Sequence, residues 1–126
     1  MAIPNDILYK PGGLTDAEWE VMRQHPVIGE RILRRTPELA DVASLVRHEH
    51  EHWDGTGYPD GISGTGIPVA SRIILACDAY NAMITRRPYR EPMSHQAAID
   101  ELRRCSGTQF DPGVVDALLR VLAERV

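Results

Sequence analysis

The run Glu49-His50-Glu51-His52-Trp53-Asp54-Gly55-Thr56-Gly57-Tyr58-Pro59 joins a helical pattern to a glycine-rich loop without a break. Upstream of it, Leu39, Val42, Val46 and His50 recur at steps of three and four, as do Val42, Leu45 and Glu49, which is the spacing of one helical face. Downstream the chain turns to Gly, Asp, Thr and Pro as far as Pro68, giving a loop of about 15 residues by its turn signals. Loops of that length without regular structure are uncommon and usually functional. The pattern therefore predicts a helix from Glu38 that carries His50 on its apolar face and ends in a long loop.

Helical signals continue on both sides. Pro4, Pro11, Gly12 and Gly13 make the first dozen residues a connecting segment. Thr15 with Glu18 is a capping box, and Asp16 adds negative charge to the first turn, so a helix should begin at Thr15. Pro26 should end or bend it and suits the first turn of a second helix, with Val27, Ile28, Ile32 and Leu33 as its apolar stripe. Val69 to Ile84 is apolar around Ile73, Ile74, Leu75, Ala76, Ala79 and Met83, which predicts a central helix buried on most sides with Asp78 in its middle. Ser94 and Gly107 bracket a further amphipathic helix, and Asp111-Pro112 caps a last one whose face is Val114, Val115, Leu118, Leu119 and Leu122. No useful strand alternation and no repeat is visible, so the fold class is all-α, a bundle of about five to six helices.

A chain of 126 residues can bury one core, and 43% hydrophobic with 25% charged residues is the mixture of a folded globular domain. The net charge is −4, and Lys10 is the single lysine among 14 basic residues, which leaves no lysine-rich field for sequence-independent binding along nucleic acid. Arginine favours fixed, bidentate phosphate contacts instead. No stretch approaches the ~20 apolar residues of a membrane span, and Met1-Ala2-Ile3-Pro4 lacks the regions of a secretory signal, so a cytoplasmic chain is expected. Cys77 and Cys105 are far apart and read as small buried side chains, with neither a disulfide nor a metal role.

Four residues could form a metal-binding set. Asp78, inside an apolar helix, needs a compensating partner, either a metal or an arginine such as Arg72. His50 could be a hydrogen-bonded core histidine or a ligand, with Glu49 beside it and His25 next to Pro26 as further donors. Mixed imidazole and carboxylate donors suit Fe, Mn, Zn or Ni. Arg86, Arg87 and Arg90, interleaved with Pro88 and Tyr89 just beyond the Asp78 helix, read either as a phosphate clamp or as a charged helix terminus.

With these residues assembled, the chain resembles the HD-GYP family of phosphohydrolases, whose pattern His-His-Glu-x-x-Asp-Gly-x-Gly-Tyr-Pro aligns with Glu49 through Pro59. Flanking features of the family align with Ile3-Pro4, Lys10-Pro11-Gly12, Leu14-Thr15, His25, Asp78, Arg87-Pro88-Tyr89-Arg90 and Phe110-Asp111-Pro112, so the resemblance covers essentially the whole chain. It implies metal-dependent hydrolysis of cyclic di-GMP in bacterial signalling. His25, Glu49, His50 and Asp78 are then the metal ligands, with His50 and Asp78 at the centre of catalysis. Arg87, Arg90, Gly57, Tyr58 and Pro59 are implied as substrate contacts, and the Gly57-Tyr58-Pro59 loop also as a contact for a signalling protein.

The chain departs from the family in two places. Glu49 stands where many members have histidine, and the His-Asp pair that the family carries upstream is absent. The expectation is therefore the C-terminal portion, residues 1–126, of a single HD-GYP domain with an incomplete metal site. The alternative is a catalytically degenerate module that binds a partner protein or a cyclic dinucleotide without hydrolysis. Apolar surface left on the Asp78 helix implies self-association, most simply a symmetric or domain-swapped dimer.

Overall fold

The structure is a computed structural model, described for residues 14–124. Among these residues five α-helices follow one another: α1 (Asp16–Arg34), α2 (Ala43–Arg47), α3 (Val69–Ile84), α4 (His95–Arg104) and α5 (Pro112–Glu124), with 3-10 turns at Pro37–Val42 and Gly64–Gly66. No strand occurs among the described residues, as the all-α reading requires. The connecting segment read over the first dozen residues lies outside them.

Capping chemistry sets most of the boundaries. The Glu18 amide donates to Thr15 Oγ1 at 3.2 Å, and the Thr15 amide donates to Glu18 Oε1 at 3.0 Å, which completes the capping box of α1. Ser94 Oγ accepts from the Ala97 amide at 3.1 Å to start α4. Asp111 Oδ1 accepts from the Gly113 amide at 2.8 Å ahead of Pro112, the first residue of α5. At the far end of α3, Arg90 Nη2 donates to the carbonyls of Ala82 and Met83 at 2.9 and 3.1 Å, covering acceptors that a helix terminus leaves without partners.

Two helix readings are corrected. The expected break at Pro26 is absent, and one 19-residue helix runs through it. A proline inside a helix removes a ladder hydrogen bond at a cost of about 3 kcal/mol. Here the ring is buried, and packing of α1 against the 3-10 turn and α2 offsets that loss. The expected helix from Glu38 through His50 is instead a 3-10 turn followed by the five-residue α2. Leu39 and Val42, placed on its apolar face by spacing, are exposed, and Glu49 and His50 fall in the turn beyond its end.

The core lies between α3, α4 and α5. Ala76, Ala79 and Met83 of α3 pack with Ala98 and Leu102 of α4, Cys105, Phe110, and Val114 and Val115 of α5. Alanines on facing helices let the backbones approach closely, and Phe110 fills the space between the C-terminal elements. α3 is nevertheless not buried on most sides. Val69, Ile73, Cys77, Asp78 and Asn81 are exposed along one face, so Cys77 is not the buried thiol expected, while Cys105 is.

The glycine-rich loop docks onto this core. Trp53 and Asp54 amides donate to the carbonyls of Gln109 and Thr108 at 3.1 and 2.9 Å, and Arg72 lies over the Trp53 ring while its Nη1 donates to Asp111 Oδ2 at 2.8 Å. Further along, Gly57 passes directly over the preceding turn. A Cβ there would lie 2.4 Å from both the His50 carbonyl oxygen and the His52 nitrogen, both backbone atoms that cannot swing aside. Gly57→Ala should therefore lower the unfolding free energy by about 3 kcal/mol, as overpacking against fixed atoms does. Gly66→Ala, which meets nothing within 4 Å, should change it by less than about 0.5 kcal/mol. Urea titration of the two variants checks both values.

Candidate functional site

α2 ends at Arg47, and the turn His48–His50 leads into the loop. Immediately after it, Glu51 is 1% exposed and its carboxylate accepts from the Asp60 amide at 3.0 Å and the Gly61 amide at 2.9 Å. His48 Nδ1 lies 3.2 Å from the same carboxylate. Arg47 grips Asp60 through both carboxylate oxygens, at 2.8 and 2.9 Å, and reaches Glu30 of α1 with Nη1 at 2.9 Å. The Arg47 hydrogen bonds hold the Asp60 carboxyl below the usual carboxylate range.

Among the described residues, His48, Glu51 and Asp60 form the group whose donor atoms all lie within 4.8 Å of one another, a spacing that could suit a metal ion. Their lone pairs are already committed, however, those of Glu51 to backbone amides and those of Asp60 to Arg47. The trio is better explained as the hydrogen-bonded clasp that folds the loop back on the turn.

The four residues selected from sequence come from three separate segments. His25 is exposed on α1, Glu49 and His50 are half-buried in the turn after α2, and Asp78 is exposed on α3. The charge of Asp78 nonetheless reaches Glu49 and His50, and that of His25 reaches His50. Burial, reinforced by the negative charge of Asp78, pushes the Glu49 carboxyl up. Burial pushes the His50 imidazole down, against the pull of Asp78 and with the help of His25. His50 is thus kept neutral, with a lone pair for a metal.

The two earlier alternatives for Asp78 are changed by this placement. It is not enclosed in the core, and Arg72, its suggested salt-bridge partner, pairs with Asp111 instead. The cause is rotational: Asp78 follows Val69 and Ile73 onto the outward face of α3 rather than the face formed by Ala76, Ala79 and Met83.

Tyr58 and the arginines complete the surroundings. The Tyr58 amide donates to the His50 carbonyl at 3.2 Å, and the Tyr58 ring stacks on the His50 imidazole. Residues 87 to 90 form a tight turn in which Arg87 and Arg90 exchange backbone hydrogen bonds. Arg86 to Glu91 line an open pocket of about 540 Å³. Arg86 is paired with Glu91, whereas the Nε of Arg87 is buried with no hydrogen-bond acceptor.

Sequence reasoning passed over Glu51, Arg47, Asp60 and Trp19. The aligned pattern contains Glu51 but says nothing of its partners nine and ten residues on. Arg47 and Trp19 carry no local signal, since each acts on a segment distant in sequence.

The HD domain family matches residues 1–114. A cyclic di-GMP phosphodiesterase of Thermotoga maritima is 42% identical over 126 residues, covering 98% of this chain and 34% of its own. The cyclic di-GMP phosphodiesterase response regulator RpfG of Xanthomonas campestris is 43% identical over 127 residues, covering 98% of this chain and 33% of its own. The chain thus spans about a third of the length of these curated relatives. A solved structure of a cyclic GMP-AMP specific phosphodiesterase from Vibrio cholerae (V-cGAP3) superposes with a TM-score of 0.73 at 24% identity, over 87% of this chain and 25% of that one, and shares the fold. The match of the family over residues 1–114, on an all-helical fold, shows that the chain belongs to the HD domain family.

Proposed function

We propose that this chain is part of an HD-GYP-type phosphodiesterase, with His25, Glu49, His50 and Asp78 holding a divalent transition metal for hydrolysis of a cyclic dinucleotide. The observation that carries this reading is that Asp78 of α3 acts electrostatically on Glu49 and His50 in the turn after α2, and His25 of α1 on His50, although the one trio among the described residues with donor atoms within 4.8 Å is His48, Glu51 and Asp60. The donor set fits Fe, Mn, Zn or Ni by ligand type. The negative charge of Asp78 raises the proton affinity of Glu49, a repulsion that a dication would relieve. His25, Glu49, His50 and Asp78 would hold such an ion, which would supply a more acidic water and offset negative charge on a phosphoryl oxygen.

The chain's own residues supply binding and positioning. His50, neutral through burial, offers a lone pair, while Glu49 and Asp78 offer negative charge. Arg87 lines the 540 Å³ pocket and would offer its guanidinium to a phosphate oxygen there. Arg90 spends donors on the carbonyls of α3, so its part in phosphate binding includes holding the turn that presents Arg87. The relatives named for cyclic di-GMP support a cyclic dinucleotide as the substrate class.

Partner binding and assembly belong to the same reading. No helix among the described residues is long and apolar enough to cross a membrane, and a cytoplasmic site of action suits a nucleotide substrate. Exposed Ile28 and Ile32 on α1 and Val69 and Ile73 on α3 support association with a second copy. The Gly57-Tyr58-Pro59 loop remains the proposed contact for a signalling protein.

Calorimetric titration with Mn²⁺, followed by a cyclic di-GMP cleavage assay, should show saturable metal binding and metal-dependent release of linear product. Asp78→Ala should lose at least tenfold in metal affinity. Stoichiometric metal and bound dinucleotide with no product would leave a binding module instead. In sedimentation equilibrium at micromolar concentration the chain should behave as a dimer, and Ile73→Ser should shift it toward monomer.

Glu49 also predicts a pH dependence. Its carboxyl is raised above the ordinary value of 4.5, so the folded state holds the proton that the unfolded chain releases first. That contribution to stability is full below 4.5 and is lost as pH rises through the folded-state value. Glu49→Gln should therefore raise the Tm of the metal-free protein at pH 7.5, show no such gain at pH 4.5, and bind Mn²⁺ more weakly. Thermal melts at the two pH values test the sign.

A further inference from the structure

A histidine that binds a metal must present one nitrogen along a fixed direction, and its ring is usually held by a hydrogen bond from the other nitrogen. No hydrogen bond to a described residue holds the His50 ring. What meets it is the face of Tyr58, with centroids 5.1 Å apart and planes inclined by 7°. Close parallel stacking restricts rotation of the imidazole about its Cβ–Cγ bond, because any large turn drives the ring edge into the tyrosine.

Tyr58 is itself held from three sides. Its amide donates to the His50 carbonyl, which fixes the backbone beneath the ring. Gly57, in contact with the backbone of residues 50–52, sets how closely the loop can pass. On the remaining side Trp19 of α1 meets the Tyr58 ring edge-on, with centroids 6.0 Å apart at 78°, and Arg23 lies over the Trp19 ring at 5.8 Å. The result is a continuous series of Arg23, Trp19, Tyr58 and His50, linking one turn of α1 to the candidate ligand. Trp19 and His25 lie on the same helix, so α1 contributes both a donor and the brace for another.

We propose that Tyr58, braced by Trp19, is a positioning residue that fixes the plane of the His50 imidazole for metal binding. This rests on the reading of His50 as a metal ligand. The role requires the aromatic face and not the phenol: Phe retains it, whereas a branched aliphatic of similar bulk does not. The same holds for Trp19, where Phe keeps an aromatic edge against Tyr58 and Leu removes it.

The test measures Mn²⁺ affinity by calorimetry and the visible spectrum of the Co²⁺-loaded protein for the wild type, Tyr58→Phe, Tyr58→Leu, Trp19→Phe and Trp19→Leu, with melting of each metal-free protein alongside. Tyr58→Phe and Trp19→Phe should bind within about twofold of the wild type with its Co²⁺ spectrum. Tyr58→Leu should lose about tenfold in affinity with an altered spectrum, the scale of losses seen when groups that orient metal ligands are removed. Trp19→Leu should lose less in the same direction. Should Tyr58→Leu not fold, the Trp19→Phe and Trp19→Leu pair decides. A wild type that binds no metal overturns the metal-ligand reading and this role with it. Metal binding by the wild type with unchanged affinity and spectrum in the folded Leu variants overturns the positioning role alone, as does a Tyr58→Phe variant as weak as Tyr58→Leu.

Discussion

The carboxylate of Glu51 is enclosed by protein, where an ionised group without partners would cost several kcal/mol. It is satisfied by the amides of Asp60 and Gly61 and by His48, and those bonds require the loop to return to the turn it left. Everything that distinguishes the site follows from that closure. Gly57 is brought against the backbone of residues 50–52, Tyr58 is laid on His50, and Asp60 is delivered to Arg47. Arg47 in turn carries the constraint to Glu30 and so to α1. One buried carboxylate thereby ties together a helix, a turn and a loop.

The apolar core sits elsewhere, between α3, α4 and α5. The loop reaches it through Trp53 and Asp54, whose amides bond to carbonyls of the segment before α5, and through Arg72 between Trp53 and Asp111. α2 reaches it through the Leu45 carbonyl, which accepts from Ser71 Oγ at 2.8 Å. The candidate donors lie where these two regions meet, with Asp78 on a helix of the core and His25, Glu49 and His50 on the polar-bonded half. Relative movement of the halves would alter the spacing of His50 and Asp78 directly.

Local chemistry was legible in the sequence wherever it acts within a few residues. The Thr15 and Glu18 capping box, the Ser94 cap and Asp111-Pro112 each state a helix start in adjacent residues, and the structure places the starts there. The apolar run from Val69 to Ile84 likewise gave α3 its bounds. Pro26 misled because its local cost is real, while the packing that offsets it comes from residues 37–47. Spacing also extended α2 too far, because Glu49 and His50 keep a helical interval although the Glu51 closure takes the backbone out of the helix. The family pattern selected His25, Glu49, His50 and Asp78 together, which periodicity alone could not. Neither source reveals Trp19, whose role comes from its position across from Tyr58 in space.

The closure also divides the loop into parts that can and cannot accept length. Between Glu51 and Gly61, both ends are tied to one carboxylate and the middle runs against backbone, so an added residue has nowhere to go. Beyond Gly61, Thr65 and Gly66 are exposed in the 3-10 turn, and around Gly66 there is open space on the side a Cβ would occupy. Insertions at exposed, weakly tied tips are the ones folded chains absorb. A peptide tag or fluorophore-bearing segment spliced between Thr65 and Gly66 would therefore sit outside the Glu51–Gly61 closure and leave the bonds of the Glu51 carboxylate in place.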